Sequence, residues 1–271
     1  MKPVMLGFAV CAALALGTSL GGPAALASDE AARAERWNEL KEVIFEGREL
    51  RDGGGLVALD APTRALEAAL VPITITLTDA QPVQGVYVVI DENPAPMAAH
   101  VVFGPGADPH LLKLRVRVNE YTQMHVVAET ADGTLYQTAA FVKAAGGCSA
   151  PVGAEQTASL TEMGRMKLRL GDEVTFGEPV EAQLMIRHPN FSGMQMDQLT
   201  RLYTPMRFVE TVDITYGGEP VLHVNGDISL STDPVLGFSF VPKEPGQMKV
   251  VVRDSDDTVF EETFDIPARG S

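Results

Sequence analysis

Short segments that alternate apolar and polar residues constrain this chain more than any other feature. Ile73-Thr74-Ile75-Thr76-Leu77-Thr78 switches character at every step. That pattern lays one apolar set on one face of an extended strand. Leu112 to Val118 repeats it. Val86 to Ile90, Met124 to Thr130 and Leu135 to Val142 have the β-branched and apolar content of further strands, with Asp132-Gly133 as a hairpin turn between the last two. Asn93-Pro94-Ala95-Pro96 and Phe103-Gly104-Pro105-Gly106 are breaks.

A second series follows. It comprises Met166 to Leu170, Val180 to Ile186, Phe208 to Tyr216, Pro220 to Val224, Val235 to Val241, Met248 to Arg253 and Val259 to Ile266, with Gly217-Gly218 as a hairpin turn. Short strands at this spacing predict an all-β chain built as two immunoglobulin-like sandwiches. Phe191 to Arg207 reads as a long loop. Ahead of the strands, Ser28 to Gly47 reads as a helix with Trp37, Leu40 and Ile44 on one stripe and Val43 beside them. A short helix capped by Asp60 is expected to run to about Leu70.

The first residues read as an export signal: Lys2, an apolar run from Val4 to Leu16, and a small-x-small site at Ala25-Leu26-Ala27. The run is too short and too glycine-broken for a spanning helix. The expected order is a signal peptide over 1–27, a first domain over 28–148, a linker over 149–162 rich in small residues, and a second domain over 163–271. The leader marks the chain for export, and the family resemblance described below implies a periplasmic location.

The 271 residues carry 21 Lys and Arg against 36 Asp and Glu, a formal net charge of −15. That balance disfavours binding to nucleic acid and fits a basic protein partner. No membrane segment follows the leader.

Of two cysteines, Cys11 lies in the leader, so only Cys148 survives cleavage and no internal disulfide is open to the exported chain. The remaining choices are a reactive thiol, an intermolecular bond or a buried inert thiol. Gly146 and Gly147 before it give mobility and access. Lys143 is a candidate to favour the thiolate. Cys148 is thus expected to be exposed on a mobile arm.

Other signals are weaker. Met194 and Met196, with Met206 and His188 nearby, have the soft ligands of a Cu(I) module. His100, His110, His125, His188 and His223 have no metal-ligand spacing, and His125 is expected to be packed. Asp254 with Asp256, and Glu261 with Glu262, read as solvated faces. No cofactor motif, metal site or catalytic residue set is present, and the chain does not read as an enzyme.

The stretch from Val116 to Cys148 resembles SoxY, the sulfur-carrier subunit of bacterial thiosulfate oxidation. The matching residues are the strand with Arg115 and Arg117, Ala128-Glu129-Thr130-Ala131-Asp132-Gly133, and Val142-Lys143 with Gly146-Gly147-Cys148. The second half resembles SoxZ through Ile186-Arg187-His188-Pro189, Tyr216-Gly217-Gly218 and Asp233 to Phe240. Together they look like a SoxYZ fusion, most similar to carriers associated with quinoprotein dehydrogenases. The resemblance implies a cysteine that holds a sulfur intermediate covalently and two domains that pair. It implies as partners sulfur-oxidation enzymes, or a PQQ dehydrogenase and its c-type cytochrome. A non-covalent adaptor for such a dehydrogenase is the alternative. One departure stands out: here Cys148 is followed by Ser149-Ala150-Pro151 and a whole domain, so the arm is tethered at both ends.

Overall fold

The computed structural model describes residues 23–79, 81–151, 154–171, 174–197 and 200–266; of the signal peptide expected over 1–27, residues 1–22 lie outside them. Its first half runs α1 (Pro23–Phe45), β1 (Leu50–Asp52), β2 (Val57–Asp60), β3 (Val71–Leu77), β4 (Val83–Ile90), β5 (Met97–Phe103), β6 (Ala107–Val116), β7 (Thr122–Thr130) and β8 (Leu135–Val142). Its second half runs α2 (Ala154–Thr161), β9 (Met166–Leu170), β10 (Val180–Ile186), β11 (Val209–Tyr216), β12 (Glu219–Gly226), β13 (Val235–Phe240), β14 (Gly246–Asp254) and β15 (Val259–Ile266).

The alternating segments form the strands they predict. In β3 the residues Val71, Ile73, Ile75 and Leu77 are buried, and Pro72 and Thr76 between them are exposed. The expected helix after Asp60 is absent: β2 ends there and no helix covers 61–70. The expected linker contains α2.

The two halves do not stop at each other's edges. β5 pairs with β12, from Phe103 opposite Leu222 to Ala99 opposite Gly226. β6 pairs with β13, with Leu112 opposite Phe238. These two antiparallel ladders fuse the halves into a nine-stranded sheet, β1-β8-β7-β4-β5-β12-β11-β14-β15, over a six-stranded one, β2-β3-β6-β13-β10-β9. Each half thereby covers an edge that would otherwise expose unpaired backbone groups. A single apolar core fills the space between the sheets, from Val71, Ile75 and Val88 in the first half to Phe238, Phe240 and Val250 in the second.

Helix α1 lies on the far face of the larger sheet. Trp37, Leu40 and Phe45 pack there on Val89, Val127 and Leu135. Trp37 stacks flat on His125 at 3.7 Å and donates Nε1–H to Gln137 Oε1. The predicted stripe is right at Trp37 and Leu40, and Ile44 packs at its margin. Val43 faces solvent, and Phe45 takes the inward place.

Candidate functional site

β8 ends at Val142, and the chain then runs along the seam between the two halves. Lys143 N–H donates to Thr63 O, and Lys143 O accepts from Ala65 N–H. Gly146 N–H donates to Asn119 O at 2.7 Å, and Gly147 N–H donates to Val118 O at 3.0 Å. Cys148 O accepts from Ser192 Oγ, a residue of the second half. Ser192 is itself set by its N–H to Gln195 Oε1 and by the Met194 N–H donated to its Oγ.

This arrangement corrects the picture of a loose arm. Cys148 is completely buried. Gly146 does take a left-handed backbone, with φ 77°. Gly147, however, serves close approach: a Cβ there would sit 2.2 Å from Ala68 O and 2.6 Å from Val118 O. The glycine pair therefore lets the arm dock tightly, where mobility was expected of it.

Beneath the arm lies Arg117, 1% exposed. The alternation of β6 would put Arg117 outward with Lys113 and Arg115. Instead the strand ends at Val116, and Arg117 N–H turns to Ser229 O. The guanidinium then donates to Ile228 O and Leu230 O through Nη1 and to Thr232 Oγ1 through Nη2. Its Nε–H has no partner among the described residues. Asn93 buttresses the turn, donating to Arg117 O and Ser229 Oγ and accepting from Asn119 N–H.

Arg117 and Cys148 act on each other electrostatically. Burial pushes the Cys148 thiol up to about 11, and the nearby Arg117 charge partly opposes that rise. Burial lowers Arg117 to about 10, and Cys148 opposes that in turn. The docked thiol is therefore protonated at neutral pH and a poor nucleophile. Lys143 is absent from the groups that move the thiol, so Arg117 takes the place assigned to it.

The remaining sequence candidates scatter. His188 is fully buried, with Nδ1 against Asn190 and Nε2 3.4 Å from Asp254, so both ring nitrogens are occupied. Met194 and Met196 sit half-buried on the Ser192 loop, and Met206 is exposed. His125 is packed under Trp37, as expected. Asp254 is no solvated face. It is buried, held by Arg207 Nε and the backbone N–H groups of Asp256 and Thr258. Among the described residues no group of three or more His, Cys, Asp and Glu is placed to hold a metal.

Sequence reading missed Arg117 and Ser192 as parts of the site. Arg117 sat inside an alternating run, and only the end of β6 turns it inward. Ser192 carried no signal of its own beyond lying in the one long loop.

The site is thus a buried thiol at the end of the first half, laid over Arg117 and latched by a residue of the second half. Family models cover both halves. Residues 41–148 match the sulfur oxidation protein SoxY, and residues 168–265 match the sulphur oxidation protein SoxZ. The chain belongs to these families as a SoxYZ fusion, and its domains are those of a sulfur-oxidation carrier.

Among solved structures, the sulfur carrier protein SoxY from Chlorobium limicola f thiosulfatophilum is 23% identical and covers 43% of this chain and 98% of its own, with a TM-score of 0.37. A superoxide reductase (neelaredoxin) from Ignicoccus hospitalis is 11% identical, covering 37% of this chain and 84% of its own, with a TM-score of 0.29. A search of curated proteins finds no match.

Proposed function

We propose that this protein is a periplasmic carrier that holds a sulfur intermediate on Cys148 Sγ and presents it to partner enzymes. The observation that carries the reading is the SoxY match ending at Cys148, where the chain lays the thiol over Arg117. Conjugating a thiol to thiosulfate as RS–S–SO₃⁻ releases one proton and two electrons. A loading partner must therefore offer an electron acceptor, and a c-type cytochrome is of that class. The second partner set is a PQQ dehydrogenase with its cytochrome.

The docked arm is the protected state of this carrier. Loading requires release of Cys148 O from Ser192 and of the Gly146 and Gly147 N–H groups from Asn119 and Val118. Three hydrogen bonds at about 0.5–1.5 kcal/mol each, plus the buried thiol, set an opening cost of roughly 2–5 kcal/mol. The open form is then populated at roughly one part in thirty to one in several thousand. A partner that binds the open arm shifts this balance by its preference for that state.

Intact mass of the protein purified from its host, grown on reduced sulfur compounds, tests the proposal. An adduct that disappears on reduction and in Cys148→Ser is expected. An unmodified mass on every sulfur substrate, with a Cys148→Ser strain growing as wild type, would leave only the adaptor or Cu(I) reading. Cu(I) titration of Met194→Leu/Met196→Leu separates those two.

A further inference from the structure

The outer face of the six-stranded sheet carries a groove whose charge is opposite to that of the rest of the chain. β6, β13, β10 and β9 lie side by side there. Lys113 and Arg115 form one wall from β6, and Lys167 and Arg169 form the other from β9. Arg165 and Arg187 close one end. The floor is low and of mixed polarity, with Gln183 opposite Gly237. Gly237 has no side chain, and a Cβ there would sit 2.8 Å from Lys113 Cβ. Val235 and Met185 line the deeper end. Two adjoining hollows of about 430 and 250 Å³ share Arg169.

Among the described residues, six cations line this groove with three carboxylates, Glu162, Asp233 and Glu181. Glu162 and Asp233 pair with Arg165 and Arg187, and Glu181 pairs with Lys113. Arg115, Lys167 and Arg169 have no ion pair among the described residues and are exposed. The chain as a whole carries a formal net charge of −15.

The geometry points to this groove as the docking site for an acidic segment of a partner protein. Three strand spacings separate the two walls, about 14 Å. An α-helix with its side chains is about 10–12 Å across, so one helix or one extended segment fits between the rails. A polyphosphate strand carries its charge on past the groove onto an acidic chain, whereas an acidic protein segment can end within the groove.

A labelled peptide of about ten glutamates, titrated into the mature protein by fluorescence anisotropy, tests the groove. Saturable binding is expected, weakening at least tenfold between roughly 50 and 200 mM salt. Arg115→Gln/Lys167→Gln/Arg169→Gln should weaken it at least tenfold. The control Arg64→Gln/Lys243→Gln/Arg253→Gln makes the same net-charge change elsewhere on the exposed surface and should change it less than twofold. Equal loss in both triples, or no saturable binding, overturns the proposal. An oligothymidylate of equal charge that binds more tightly through the same three residues reassigns the groove to nucleic acid and also overturns it. Cys148→Ser leaves the expected peptide binding unchanged, so the outcome is independent of the carrier reading.

Discussion

Arg117 is a buried cation with no carboxylate paired to it among the described residues. Isolated charge is costly in an apolar interior, so a negative group on Sγ is favoured there over a neutral one. Arg117→Gln should raise the Cys148 pKa further, and Arg117→Lys should restore part of the effect. Thiolate absorbance near 240 nm, with Cys148→Ser as blank, reads both. Identical titrations in all three proteins would make Arg117 a purely structural residue. The raised thiol also has a stability consequence. Between the ordinary cysteine pKa of about 8.5 and the folded value of about 11, the native state holds a proton that the unfolded chain has lost. Its stabilising contribution is complete below that window and declines as pH rises through it. Urea midpoints of the wild type should therefore fall faster than those of Cys148→Ser over this range.

At the scale of single elements, the arm is a latch with two fittings. Ser192→Ala removes the hydroxyl held by Cys148 O, and the loss of about 1 kcal/mol should speed native-state alkylation of Cys148 about fivefold. Gly147→Ala drives a methyl into two backbone carbonyls that cannot swing aside. It should cost about 1–3 kcal/mol, by shifting the arm or its bed, and raise alkylation further. Iodoacetamide mass labelling below pH 8 checks both. These elements also show what sequence could convey. Strict alternation foretold β3, and the spelling of β9, β10 and β15 gave their bounds to the residue. The arm resisted the same reading, because Gly-Gly is spelled alike in a free linker and in a tight dock. What distinguishes them is Ala68 O and Val118 O, which are distant in the chain. β5 was hidden for a related reason: Met97-Ala98-Ala99 is poor in β-branched residues, and its partner strand β12 lies in the other half.

For the molecule as a whole, the ladders β5–β12 and β6–β13 hold the halves together independently of the covalent connection. Limited proteolysis near Ser149–Pro151 should leave two fragments that co-elute at the intact size, and fragments that separate without denaturant would refute the shared-sheet arrangement. Phe238→Ala empties a buried place opposite Leu112 in the seam and should cost about 3–5 kcal/mol by urea unfolding. Such non-local pairing is invisible to periodicity, which reports which face of a strand is apolar and says nothing of which strand lies beside it. The two immunoglobulin-like sandwiches were thus legible in the sequence, and the continuity of their sheets across the seam was not. Net charge is silent in the same way: a total of −15 says nothing of a face where, among the described residues, cations outnumber acids.

The double tether sets a ceiling on how deep a client's pocket can be. Five residues, 143–147, join Cys148 to the end of β8, and five more, 149–153, join it to α2. Fully extended, five residues span at most about 17 Å. An enzyme whose reacting centre lies at the bottom of a longer tunnel is out of range for this chain, however well its rim fits. Any enzyme that acts on Cys148 must work near its own surface, within one short hairpin's length of the mouth.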